Sequence, residues 1–193
     1  HPAQHGSFAS DVIASKSIDA LLAIGDEAAA HRIADATANP GLLTSLSTVQ
    51  VALCEGNHEA AGRILRRIGS QRSLGPGARA KHLLLSASLE LARKSAIDAR
   101  MAASVARIAT TGNNRRMLTS MPAELISQVQ SHLSGDAAED FTRAIEGLEF
   151  SDLESRPALT SSELRVLAAL SRHTTIARIA AEFHVSPNPI KSQ

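Results

Sequence analysis

The chain has 193 residues, enough for one large or two modest domains, and at 44% hydrophobic and 20% charged it has the composition of a globular protein rather than a disordered one. Only 2% is aromatic, with four Phe and no Trp or Tyr, and a single cysteine excludes a disulfide framework or a cysteine-based zinc site. The net charge of +1 conceals segregation: residues 1–60 carry 2 Lys/Arg against 7 Asp/Glu, residues 61–116 carry 12 against 2, residues 117–160 carry 2 against 8, and residues 161–193 carry 4 against 2.

A core without aromatics must be assembled from many small Ala, Leu and Ile contacts. Ala and Leu are also strong helix formers, and alternating runs of Val, Ile, Thr and aromatics are missing, so the expected fold class is all-α. No apolar run approaches bilayer length and no signal peptide is visible, which makes a cytoplasmic protein the expectation. The opening "HPAQHG" reads as the edge of a fragment rather than a natural start.

In chain order, Ile18, Leu21, Leu22 and Gly25 line one face of a first helix, and Ala30, Ile33, Ala34 and Thr37 line a second that stops at Asn39–Gly41. "LLAIGDEAAAHRI" (Leu21 to Ile33) aligns with "ALCEGNHEAAGRI" (Ala52 to Ile64), with Gly25 over Gly56. Both copies read as helix, tight turn, helix: the glycine supplies the turn, Asp26 or Asn57 caps the next helix, and paired Ala residues allow close approach. Cys54 falls on a helix next to the second turn and reads as a small packing residue. Ala61, Ile64, Leu65 and Ile68 repeat the stripe.

A weaker third copy is "ELARKSAIDARMA" (Glu90 to Ala102), where Lys94-Ser95 replaces the Gly-Asp turn. Ile97, Met101, Val105 and Ile108 follow, then amphipathic segments through Leu125, Ile126, Val129 and Leu133, and through Phe141, Ile145 and Leu148. The acidic stretch Asp136–Asp140 suits a helix N-terminus. A period of about 31 to 38 residues resembles the tetratricopeptide-like helical hairpins in general form, without their aromatic signature positions. The expected body is an antiparallel helical-hairpin superhelix over residues 1–147. Residues 148–158, with mixed charge and a proline, read as a linker.

The basic middle holds Arg63, Arg66 and Arg67 on one helix, Arg100 and Arg107 on another, and Arg93-Lys94 at a turn. If these converge they form a patch for an anionic partner. Otherwise they are neutralised by the acidic flanks or remain a solvated surface. The eight histidines lack metal-ligand spacing, and no catalytic grouping or cofactor fingerprint stands out, so the chain reads as a non-enzyme without metal or cofactor.

Residues 159–193 are the most informative. Thr160 with Glu163 forms a capping box, Val166, Leu167 and Leu170 a buried stripe, and Ile176, Ile179, Ala180 and Phe183 a second helix capped by Thr174 or Thr175. Val185 plugs a turn, and Ser186-Pro187 opens a third helix. Two helices and a tight turn before a third make a helix-turn-helix. Leu159-Thr160, Glu163, Val166-Leu167, Ile179-Ala180, Ser186-Pro187-Asn188 and Ile190-Lys191 closely resemble the DNA-binding module of LuxR-type (GerE-like) bacterial transcription regulators.

That resemblance implies a recognition helix starting at Ser186, with Thr175, Ser186, Asn188, Lys191, Ser192 and Gln193 at the DNA. It also implies that the module continues past Gln193 through a fourth helix that supports dimerisation. A chain ending at Gln193 would then bind DNA weakly or not at all. A helical body ahead of such a head is similar to the large MalT-like regulators, whose body receives a protein or small-molecule effector. Pro189 stands where the family usually has Thr, which keeps open a second reading: a helical scaffold for protein partners with a degenerate, non-DNA-binding head.

Overall fold

The computed structural model describes residues 8–148 and 150, apart from residue 72, and all regular structure among them is helical. Chain order gives α1 (Phe8–Ala23), α2 (Glu27–Ala36), α3 (Leu42–Cys54), α4 (His58–Gly69), α5 (Pro76–Lys94) and α6 (Ala99–Thr110). A 3-10 helix (Gly112–Ser120), α7 (Ala123–His132) and α8 (Asp136–Ile145) complete it. The expected head at 159–193, with Thr175, Ser186, Asn188, Lys191, Ser192 and Gln193, lies outside the described residues, as does most of the 148–158 linker. The described residues divide into two compact units, 8–44 and 45–150, and that division falls inside the segment 1–147 read from sequence as one body.

The two turns aligned by sequence are built alike. Gly25 and Gly56 sit at φ +81° and +70°, a left-handed conformation that costs glycine little and other residues much. Gly25 N–H donates to the Leu22 carbonyl at 3.1 Å and Asp26 N–H to Leu21 at 2.9 Å; Gly56 N–H donates to Leu53 at 3.1 Å and Asn57 N–H to Ala52 at 2.8 Å. Each pair satisfies the last carbonyls of the preceding helix in the Schellman pattern. The same polar residue then caps the following helix, Asp26 Oδ1 accepting from Ala29 N–H at 2.9 Å and Asn57 Oδ1 from Ala60 N–H at 3.1 Å. Cys54 ends α3 and is exposed, so it does not serve as the packing residue expected of it: Val51 and Ala52, in the same turn, are the buried ones.

In the first unit α1 packs on α2 through Ile18, Leu21, Leu22 and Ala30, all buried. The start of α3 is capped from a distance. Asp11, in α1, accepts from Leu43 N–H at 3.0 Å and Thr44 N–H at 2.9 Å, and its own carbonyl accepts from the buried Thr44 hydroxyl at 3.1 Å. These are the N–H groups that an N-cap side chain would normally satisfy. The residue in the N-cap position is Gly41, where a Cβ would overlap the Asp11 carboxylate. Glycine at 41 leaves room for a carboxylate supplied thirty-two residues from Leu43.

The second unit centres on α5 and α6. Leu84, Leu85, Ala87, Val105, Leu118, Leu125, Val129 and Phe141 are essentially inaccessible, and Phe141 of α8 is the large ring in this core of small side chains. The weak third turn takes a different form from the first two. Ser95 adopts φ +55°, the one non-glycine residue in that region among the described residues, and Asp98 caps α6 by accepting from Met101 N–H at 2.7 Å. Gln128 of α7 brackets this turn, donating through Nε2 to the Ser95 carbonyl at 2.9 Å and accepting from Ile97 N–H at 3.0 Å. One amide side chain thereby holds a backbone that the local sequence does not favour.

Asp11→Ala is expected to destabilise the first unit by about 1–2 kcal/mol through loss of the cap, with Asp11→Asn, which keeps one acceptor, falling between. Gly41→Ala is expected to cost a similar amount by displacing the carboxylate; urea denaturation of the three variants checks both. Ser95→Gly removes a left-handed conformation from a residue with a Cβ, and a gain of about 1 kcal/mol is expected in the same measurement.

Candidate functional site

A groove of about 330 Å³ runs between α4 and α5. On α4 its wall is Gly62, Leu65 and Arg66; on α5 it is His82, Ser86, Leu89, Glu90, Arg93 and Lys94. The α4 residues fall at i, i+3 and i+4, and the α5 residues advance by three and four along one stripe, so each helix turns a single face to the groove. Gly62 lies against Arg93 and Gly69 against His82, which makes the two helices antiparallel. Leu65 and Leu89 are buried and form the apolar floor.

The glycines of α4 account for how close the α5 side chains come. A Cβ on Gly62 would sit 2.9 Å from Arg93 Nη2 and 3.5 Å from Arg66 Nη1; one on Gly69 would sit 3.4 Å from His82 Nε2. Arg93 Nη2 donates to the His58 carbonyl at 2.6 Å, the carbonyl toward which α-helical pairing also directs the Gly62 N–H. His82 Nε2–H donates to the Leu65 carbonyl at 3.1 Å. The guanidinium and the imidazole thus each donate to an α4 carbonyl, beside Gly62 and Gly69.

Two guanidinium nitrogens at 2.9 Å and 3.5 Å from one point are separated by no more than the sum of those distances, so Arg66 and Arg93 converge on the same mouth. Lys94 Nζ lies 3.0 Å from Glu90 Oε1 on the same helix, an exposed pair of small energetic weight. The side chain of Arg66 makes no hydrogen bond or ion pair among the described residues. The Arg, Lys and Glu side chains of the groove, three cations and one carboxylate, sum to +2. Convergent guanidinium forks beside an apolar floor suit a planar or tetrahedral oxyanion attached to a small organic body.

Of the seven basic residues singled out by sequence, Arg66, Arg93 and Lys94 line this groove. Arg63 and Arg67 are exposed on α4 and do not line it, and Arg100 and Arg107 belong to α6, where Arg107 Nη2 donates to Ser104 at 3.3 Å. Gly62, His82 and Leu89 were not singled out. A signal for Gly62 was present: in the aligned copies it stands where the first has His31, and glycine inside a helix costs about 1 kcal/mol relative to alanine, so it calls for a reason. Among the described residues no group of three or more His, Cys, Asp or Glu side chains gathers as metal ligands, and no helix is long and apolar enough to cross a membrane. In comparisons of sequence and structure, no protein family, curated protein or solved structure matches the chain.

Gly62→Ala sets a gain in helix propensity of about 1 kcal/mol against the loss of one exposed charge-assisted hydrogen bond of similar size, since the displaced group is the flexible end of Arg93. Stability is expected to change by less than about 0.5 kcal/mol. A loss above about 2 kcal/mol in urea denaturation would mean that the α4 backbone itself is displaced.

Proposed function

We propose that the protein is a bacterial DNA-binding transcription regulator. Its tetratricopeptide-like helical body receives a partner or effector, and a LuxR-type helix-turn-helix at 159–193 reads DNA. The carrying observation is the spacing in that segment, from the Thr160–Glu163 capping box through Ile179-Ala180 to Ser186-Pro187-Asn188 and Ile190-Lys191. The repeated cap-and-turn unit at Gly25 and Gly56 supports a hairpin array as the body, because each copy hands one helix to the next through the same hydrogen bonds. Such arrays offer grooves between stacked helices as receiving surfaces. In the module this segment resembles, Lys191 would reach a base edge or a phosphate from the recognition helix.

Pro189 favours a second reading, a helical scaffold for protein partners whose head no longer binds DNA. In a helix opening at Ser186, proline at 189 would lack the N–H that the cap or a phosphate would take.

Fluorescence anisotropy of the full gene product on its own promoter DNA separates the two. Binding that survives excess random DNA and drops about tenfold or more in Lys191→Ala is expected of the regulator. Binding equal to that of random DNA, and unchanged by Lys191→Ala, assigns the scaffold.

A further inference from the structure

We infer that the α4–α5 groove is a binding site for a small phosphomonoester. The inference deepens the proposed role of the helical body as a receiver by naming the chemistry it receives.

Three features of the groove agree on that chemistry. Charge is the first: the lining carries Arg66, Arg93 and Lys94 against Glu90, a net +2, and a phosphomonoester carries about −1.5 to −2 near neutral pH. Donor geometry is the second. Arg66 approaches from α4 and Arg93 from α5, and one guanidinium nitrogen of each lies beside Gly62, so two helices each bring a cation to one place. A tetrahedral phosphate has oxygens enough for both forks and for Lys94, whereas a single carboxylate offers two oxygens. Size is the third: about 330 Å³ lies at the lower end of the ~300–1,000 Å³ typical of small-molecule sites, with Leu65 and Leu89 as an apolar bed for the ester group.

Gly62 ties the features together. Alanine there would raise helix propensity, but its Cβ would stand 2.9 Å from the present position of Arg93 Nη2 and drive the fork away from the mouth. The helix thus retains its least favourable ordinary residue at the point where the second guanidinium must lie.

Isothermal titration calorimetry of the 193-residue chain tests this with phenyl phosphate, inorganic phosphate, and a tri-glutamate peptide. Saturable binding of phenyl phosphate, tighter than inorganic phosphate and than the peptide, is expected, and it should weaken as salt rises from about 50 to about 300 mM. Arg66→Ala and Arg93→Ala are each expected to weaken it about tenfold or more. Gly62→Ala should weaken it in a protein whose melting temperature is unchanged, and Arg63→Ala, outside the groove, should leave it intact. Arg66→Ala serves as the fold-safe variant, because its side chain is exposed and holds no partner among the described residues.

No saturation up to about 10 mM phenyl phosphate would overturn the inference, since affinity that weak falls below about 3 kcal/mol of binding. Equal binding by wild type and by Arg66→Ala or Gly62→Ala would also overturn it. Tighter binding of the peptide would do the same and would assign the groove to an acidic protein face. The promoter-DNA measurement is independent: phenyl phosphate binding without promoter binding removes the regulator reading and leaves the groove, and the converse removes the groove alone.

Discussion

A helix of ten to thirteen residues leaves about four N–H groups and four carbonyls without partners inside the helix, against roughly six to nine of each that it pairs. Among the described residues six of the eight α-helices are of that length, and the core is assembled largely from Leu, Ala, Ile and Val. With so little apolar area per helix, the architecture depends on satisfying helix ends economically. Asp26 and Asn57 each do two things, closing one helix through their N–H and opening the next through their side chain. Asp11 closes a distant gap, taking two N–H groups of α3 across thirty-odd residues of sequence, and Gln128 does the equivalent at the Ser95 turn with both ends of one amide.

The groove follows from the same economy. Where one helix carries glycine against its neighbour, side chains of the neighbour reach its main chain. Arg93 and His82 each donate to an α4 carbonyl, at His58 and Leu65. The first contact positions Arg93 without a carboxylate partner, which leaves its charge uncompensated at the mouth. Gly62 is the tighter of the two places, since a Cβ there would stand 2.9 Å from Arg93 Nη2, whereas one on Gly69 would sit 3.4 Å from His82 Nε2. The basic surplus of residues 61–116 therefore divides: one part is drawn into a shaped site, and Arg63, Arg67, Arg100 and Arg107 remain on exposed helix faces.

Much of the local structure was legible in the sequence, because it depends on neighbours. Helical periodicity gave α1, α2, α4, α6, α7 and α8, and the Gly-Asp and Gly-Asn pairs gave two turns whose hydrogen bonds match closely. The features that escaped reading are those set at long range. Nothing near Gly41 indicates that its cap is Asp11, and nothing near Ser95 indicates that Gln128 will hold it. The 3-10 helix Gly112–Ser120 carries no apolar period long enough to be told from a loop. At the groove, charge was visible in the sequence and convergence was not: deciding which arginines meet required knowing which faces of α4 and α5 oppose each other.

The location of the groove gives an occupant a route into the rest of its own unit. Lys94 is the last residue of α5 and at present pairs with Glu90, one turn back. An oxyanion between Arg66 and Arg93 would compete with Glu90 for Lys94, and Ser95, the next residue, is the left-handed one. Its carbonyl is bound by Gln128 of α7, and α7 packs on α6. Any change at the end of α5 therefore acts on the residue where backbone conformation is least favourable, and one side chain from α7 holds it. Differential binding shifts a conformational equilibrium only through contacts that differ between the two states. In the second unit such contacts are available at Lys94, where a surface ion pair of small worth adjoins a strained turn. The far side of the groove offers no counterpart, because His82 is anchored to Leu65 in the middle of two regular helices.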